Sequence, residues 1–206
     1  MNRRGFTFIE LIISLSITSV IGLAVVTLMG AVTSGITSKE DGRQSSIRFS
    51  TLKTKMSAYV SPARCILDTS PSSATLWMND SRESNTVHAT EIRWIEFNPT
   101  LEQLEVSFVS FPEHWSEEMK SSNDTECNEH TNYAQLLSNF NAKGYITSLT
   151  LVDQISGCDF WFNETQPTDI TLISFEFKLN STMGETDSLV IDEVIRQHLL
   201  PLEEIE

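Results

Sequence analysis

Cys127, Glu129 and His130 fall within four residues of one another, with Glu117, Glu118, Asp124 and Glu126 close by. Thiol, imidazole and carboxylate groups gathered in this way are the raw material of a metal site. A tetrahedral zinc centre needs a second ligand pair at comparable spacing, and an EF-hand needs its oxygens at fixed positions of a twelve-residue loop. Neither pattern is present, so a solvated acidic loop without a metal is expected. His88, His114 and His198 lie among polar residues, away from any serine or cysteine nucleophile motif. The chain has no GxSxG, no P-loop and no dinucleotide fingerprint. Neither a catalytic residue nor a cofactor is expected, and the protein is read as a non-enzyme. Trp77, Trp94, Trp115 and Trp161 are expected in the core or at an interface rather than on a ligand-stacking platform.

Cys65, Cys127 and Cys158 are widely spaced and lack CxxC geometry, which excludes a zinc ribbon and a thioredoxin-type redox site. In an oxidising compartment one pair would bridge and leave one thiol free. Three pairings exist; Cys127 with Cys158 is the expected one, and three reduced cysteines are the alternative. The chain has 206 residues, 20% of them charged and 40% hydrophobic, enough for one core plus an added element. Its formal charge of -14 repels a bare phosphate backbone, so nucleic acid is a disfavoured partner.

A different kind of chemistry is encoded at the other end. Glu10 is the first charge after Arg3 and Arg4, and residues 11–38 contain no Asp, Glu, Lys or Arg. That run exceeds the roughly 20 residues a helix needs to cross a bilayer. Arg3 and Arg4 should stay cytoplasmic, which places the chain after about residue 40 on the far side of the membrane. A carboxylate buried in the membrane costs about 2.5 kcal/mol or more unless it is paired, so Glu10 needs a cationic partner or interfacial water at the helix start. Leu11, Ile12, Ile13, Leu15 and Ile17 are interleaved with Ser14, Ser16, Thr18, Ser19 and Gly22, small residues that let helices approach closely in lipid.

The run from Arg3 to Ile12, RRGFTFIELI, closely resembles the signal of type IV prepilins: a basic leader, a glycine, a phenylalanine, and a glutamate fifth after the cut. An ordinary secretory signal would instead end its apolar region at a small-residue cleavage site and lose it. The resemblance implies cleavage after Gly5 by a prepilin peptidase, N-methylation of Phe6, and retention of the apolar helix for assembly. It also implies that Glu10 answers the new amino terminus at Phe6 of its own or a neighbouring subunit.

The chain accordingly divides into a cleaved leader (1–5), a transmembrane assembly helix (6–38), an amphipathic helix half (39–61) and a periplasmic or extracellular α+β domain (62–206). Phe49, Leu52, Met56, Tyr59 and Val60 keep helical spacing until Pro62 stops the helix. From Phe6 to Tyr59 such a helix would reach roughly 80 Å at about 1.5 Å per residue. Strands are predicted at 74–78, 92–97, 104–111, 145–152, 159–162, 170–179 and 189–194, and helices at 112–120 and 132–143, with Gly144 as a stop. The fold class is α+β, a long N-terminal helix packed on an antiparallel sheet domain. This order of helix, strands, helical insertion and three late strands resembles the J-type minor pseudopilins of type II secretion and the W-type minor pilins.

A minor pilin or pseudopilin subunit of a type IV pilus or secretion pseudopilus is therefore expected. It would sit in the inner membrane as a single-pass protein before entering the filament. Its expected partners are the prepilin peptidase, other pilin or pseudopilin subunits and the inner-membrane assembly platform. The alternative is a filament-carried or membrane-anchored adhesin, or a ligand-binding module for DNA uptake. The acidic segment Leu202-Glu-Glu-Ile-Glu206 reads as a solvated tail or as a docking peptide for a basic groove.

Overall fold

Helix α1 (Phe8–Val60) runs without interruption through the apolar and amphipathic stretches and stops just before Pro62, where a backbone donor is missing. The computed structural model describes residues 8–180 and 186–201. The chain divides into two units, residues 1–49 and residues 50–206. In the first, the described side chains from Phe8 to Gly30 are exposed all round the helix. In the second, Leu52, Met56 and Val60 are buried at four-residue intervals, one stripe against the core, while Lys53, Thr54 and Lys55 remain outside.

Among the described residues ten strands follow in three antiparallel sheets. The largest joins β1 (Cys65–Ser70), β2 (Ser73–Trp77), β4 (Ile92–Asn98), β5 (Gln103–Val109) and β7 (Ile146–Val152) in that order. A second places β9 (Leu172–Asn180) between β10 (Thr186–Val194) and β8 (Ile155–Phe162). The third is the short ladder of β3 (Val87–His88) with β6 (Glu126–Cys127). The architecture is α+β, an apolar N-terminal helix followed by a mostly antiparallel sheet domain, consistent with a pilin-like fold. On β9 the alternation sorts as expected, with Ile173, Phe175 and Phe177 fully buried and Ser174, Glu176 and Lys178 on the other face. Phe160 of β8 meets Phe175 edge-on at 4.9 Å between ring centres, closing the core of the second sheet.

Two short helices interrupt the strands. In α2 (Glu117–Asn123) the Ser116 side chain caps the start by accepting from the Met119 amide, so the helix begins five residues later than the sequence indicated. In α3 (Tyr133–Ala142) Asn132 caps in the same way, accepting from Gln135, and Gly144 ends the element with a φ of 73°. Tyr133, Leu136 and Phe140 turn one face of α3 into an apolar cluster with Cys65, Trp77, Ile92, Trp94 and Cys127.

The excursion that carries α2 is held by two carboxylates. Glu91, 1% exposed, accepts from Trp77 Nε1, from the Ser81 amide and hydroxyl, and from the amides of Arg82 and His88. Asp124 takes Arg82 in a charged pair at 2.9 Å and accepts from the amide and hydroxyl of Thr90. Arg82 thus lies between them, its amide on Glu91 and its guanidinium on Asp124. Removing a buried acceptor strands its donors at about 1–3 kcal/mol each. Glu91→Ala is expected to lower the unfolding free energy by about 3 kcal/mol or more. Urea titration of the full chain in detergent should show a large drop in midpoint, and Glu91→Gln, which keeps one accepting oxygen, should lose less.

Candidate functional site

Leu11–Gly30 has a mean hydropathy of 2.4 and none of it is buried by the rest of the described chain. A stretch with this much apolar surface is long enough to span a bilayer. Its hydroxyls do not spoil that property, because each is already satisfied on its own helix. Ser14 donates to the Leu11 carbonyl at 3.0 Å and Ser16 to Ile12 at 2.9 Å; Thr18 and Ser19 donate to Ser14 and Leu15, both at 2.8 Å. Thr27 reaches the carbonyls of Leu23 and Ala24. An unpartnered hydroxyl in hydrocarbon costs several kcal/mol, and back-bonding of this kind removes the cost while leaving the surface small. At Gly22 an added Cβ would meet no atom within 4 Å, so the absence of a side chain there leaves space for another helix.

Gly5 and Phe6, the residues of the expected cut and methylation, lie outside the described residues. Glu10 is in the first turns of α1, with its side chain outside the described set.

Residues 1–26 match the family model for the prokaryotic N-terminal methylation motif. The chain carries a type IV prepilin-like signature. The match and the apolar helix overlap from Leu11 to residue 26, so the recognised motif leads directly into the span. Such a motif marks a structural, pilin-like precursor rather than an enzyme family, and it implies processing by a peptidase and assembly with other pilin subunits. No curated protein and no solved structure matches the chain.

The remaining candidates of this prepilin-like chain resolve into structural roles. Among the described residues no group of three or more His, Cys, Asp and Glu side chains stands where it could hold a metal ion. Glu129 and His130 are a solvent-exposed pair at 3.2 Å, whereas Cys127 beside them is buried and Asp124 is fully enclosed. The acidic run is therefore not uniformly solvated: Asp124 belongs to the interior clamp. Sequence offered one signal for this, an arginine at position 82 able to serve a carboxylate bidentately, but gave no indication of which of the many acids it would choose. Of the tryptophans, Trp77 and Trp94 are core residues, Trp115 stacks on Phe111 at 5.5 Å, and Trp161 is 62% exposed.

All three cysteines are free thiols and buried. Cys127 shares the apolar cluster of Cys65, while Cys158 on β8 stands opposite Phe177 in a different sheet. Burial pushes Cys65 and Cys127 up to about 12, with Asp124 and Glu126 adding to the effect at Cys127 and Arg64 opposing it at Cys65; Cys158 is raised further. The folded state thus holds the protons that the unfolded chain releases from 9.0 upward. The thiols' contribution to stability is complete below pH 9 and is lost as pH rises toward about 12. At pH 8 the native chain should resist iodoacetamide, and denaturation without reductant should expose three alkylatable thiols on mass analysis; rapid native labelling would contradict this burial.

Proposed function

We propose that the chain is a minor pilin or pseudopilin, cleaved after Gly5 and N-methylated at Phe6, that enters a type IV pilus or a type II secretion pseudopilus through its N-terminal helix. The observation that carries this reading is the methylation motif over residues 1–26 running into an apolar helix with no cover of its own. Before assembly the protein is held in the inner membrane with the sheet domain in the periplasm, and the assembly platform receives it there. Glu10 is the residue on which assembly turns. A carboxylate at the edge of the span is costly alone, and the amine freed at Phe6 is a cation at the right end of the helix to answer it. The size of the domain, residues 50–206, favours a minor subunit over the principal one.

The two steps are separable in one variant. Glu10→Ala makes the helix less costly to bury, so membrane insertion and leader cleavage should continue at normal levels. Incorporation should fall severalfold, because the Phe6 amine loses its counter-charge, and Glu10→Asp should recover part of it. Membrane fractionation and crosslinking to neighbouring subunits on the same cells read both steps. Normal incorporation of Glu10→Ala would return Glu10 to the role of a helix-start acid near interfacial water.

A further inference from the structure

Charge is distributed unevenly along this acidic chain. Residues 68–206 hold 25 of the 28 carboxylates and only six of the 14 Lys and Arg, whereas residues 42–67 hold five cations and no carboxylate. Most described cations are satisfied within the domain. Lys55 donates to the Leu151 carbonyl, Arg64 pairs with Asp80 and covers Trp77, and Arg82, Lys120 and Lys178 have carboxylate partners. Arg93 lies over Phe108, and Lys143 over Phe140. Among the cations whose side chains are described, Lys53 and Arg196 have no such partner, and both line one open groove of about 730 Å³ along the last turns of α1. Ser50, Thr54, Ser57 and Ser61 also line it, and no carboxylate is among its described lining residues. Two unanswered cations and four hydroxyls lining one groove make a receptor for carboxylates.

The same chain carries a matching segment. Its sequence Leu202–Glu206 contains Glu203, Glu204 and Glu206 together with Leu202 and Ile205. The Arg196 amide donates to the Ser61 carbonyl and the Leu199 amide to the Arg64 carbonyl, so residues 196–199 run parallel to residues 61–64.

We propose that the groove between Lys53 and Arg196 receives the acidic segment Leu202–Glu206 of a second copy of this chain. The contact is head-to-tail: one copy supplies the groove, the next supplies the segment, and each retains the other half for a further neighbour. Contacts of this kind propagate from copy to copy, as rings where the rotation closes and as open helical arrays where it does not. The proposal rests on the filament reading, to which it adds a second contact, outside the membrane, set by charge and therefore weakened by salt. In a minor subunit it would join short runs of copies.

The test uses the full chain in neutral detergent micelles, with equal amounts of unlabelled and nitrogen-15-labelled copies joined by a zero-length carbodiimide. The expected product is an amide between Lys53 and Glu203, Glu204 or Glu206, about half of it in mixed-isotope form, with yield falling severalfold at high salt. Lys53→Glu with Arg196→Glu, and separately Glu203→Lys with Glu204→Lys and Glu206→Lys, should each reduce sedimenting oligomers. Mixing the two variants should restore association between unlike copies, each groove receiving the other variant's segment, and combining both sets of changes in one chain should restore association with the charges exchanged. Links of single isotope composition only, which place the segment in its own groove, would overturn the proposal. So would the absence of a Lys53 link, or loss of phosphatidylglycerol-vesicle binding as the only effect of the groove changes. Unchanged urea midpoints confirm that the variants fold. The filament reading fails separately, if Phe6 is never exposed in cells containing a prepilin peptidase, and that outcome leaves the isotope result intact.

Discussion

Apolar surface that a protein does not cover itself has to be covered by something else. From Leu11 to Gly30 the helix offers side chains on every face with no protein atoms over them, and water is the one surrounding that this surface cannot accept at low cost. Lipid accepts it because the hydroxyls of Ser14, Ser16, Thr18, Ser19 and Thr27 are tied to the helix's own carbonyls, leaving no unpartnered group to desolvate. A bundle of similar helices accepts it equally well. The methylation motif at residues 1–26 implies assembly with other pilin subunits, and under the proposed function Glu10 is the group for which the two surroundings differ most, since a carboxylate needs a cation that lipid does not supply.

The sheet domain obeys the opposite constraint. It folds in water and closes its own core, and its least regular part, the excursion between β5 and β7, is fixed by buried polar groups as well as apolar ones. Glu91 and Asp124 share Arg82 and between them anchor residues 77–90 to the end of α2. Each carboxylate is acceptable in the interior because several donors converge on it.

Periodicity made much of this legible. The stop at Pro62, the alternation on β9, the cap at Asn132 and the left-handed Gly144 are local choices in which propensity and tertiary structure agree. What escaped the sequence was non-local. The first strand, Cys65–Ser70, has little alternation of its own and is defined by pairing with β2. The ladder of Val87–His88 with Glu126–Cys127 joins segments nearly forty residues apart and is too short to leave a pattern. Asp124 and Glu129 look alike in a list of acids, yet one is enclosed by Arg82 and Thr90 and the other faces solvent. The groove of Lys53 and Arg196 was hidden for the same reason, since its two cations come from opposite ends of the domain. At the N-terminus, by contrast, the motif and the apolar helix overlap in sequence, and the prepilin-like signature was readable there.

The account depends on one covalent event that converts Phe6 into a terminus. The most direct measurement is the mass of the N-terminal peptide of this chain recovered from a sheared filament or pseudopilus fraction. The account predicts a peptide beginning at Phe6 and bearing a single N-methyl group, with the leader through Gly5 absent. A peptide beginning at Met1, or a chain confined to the membrane fraction while other subunits enter the filament, would contradict it.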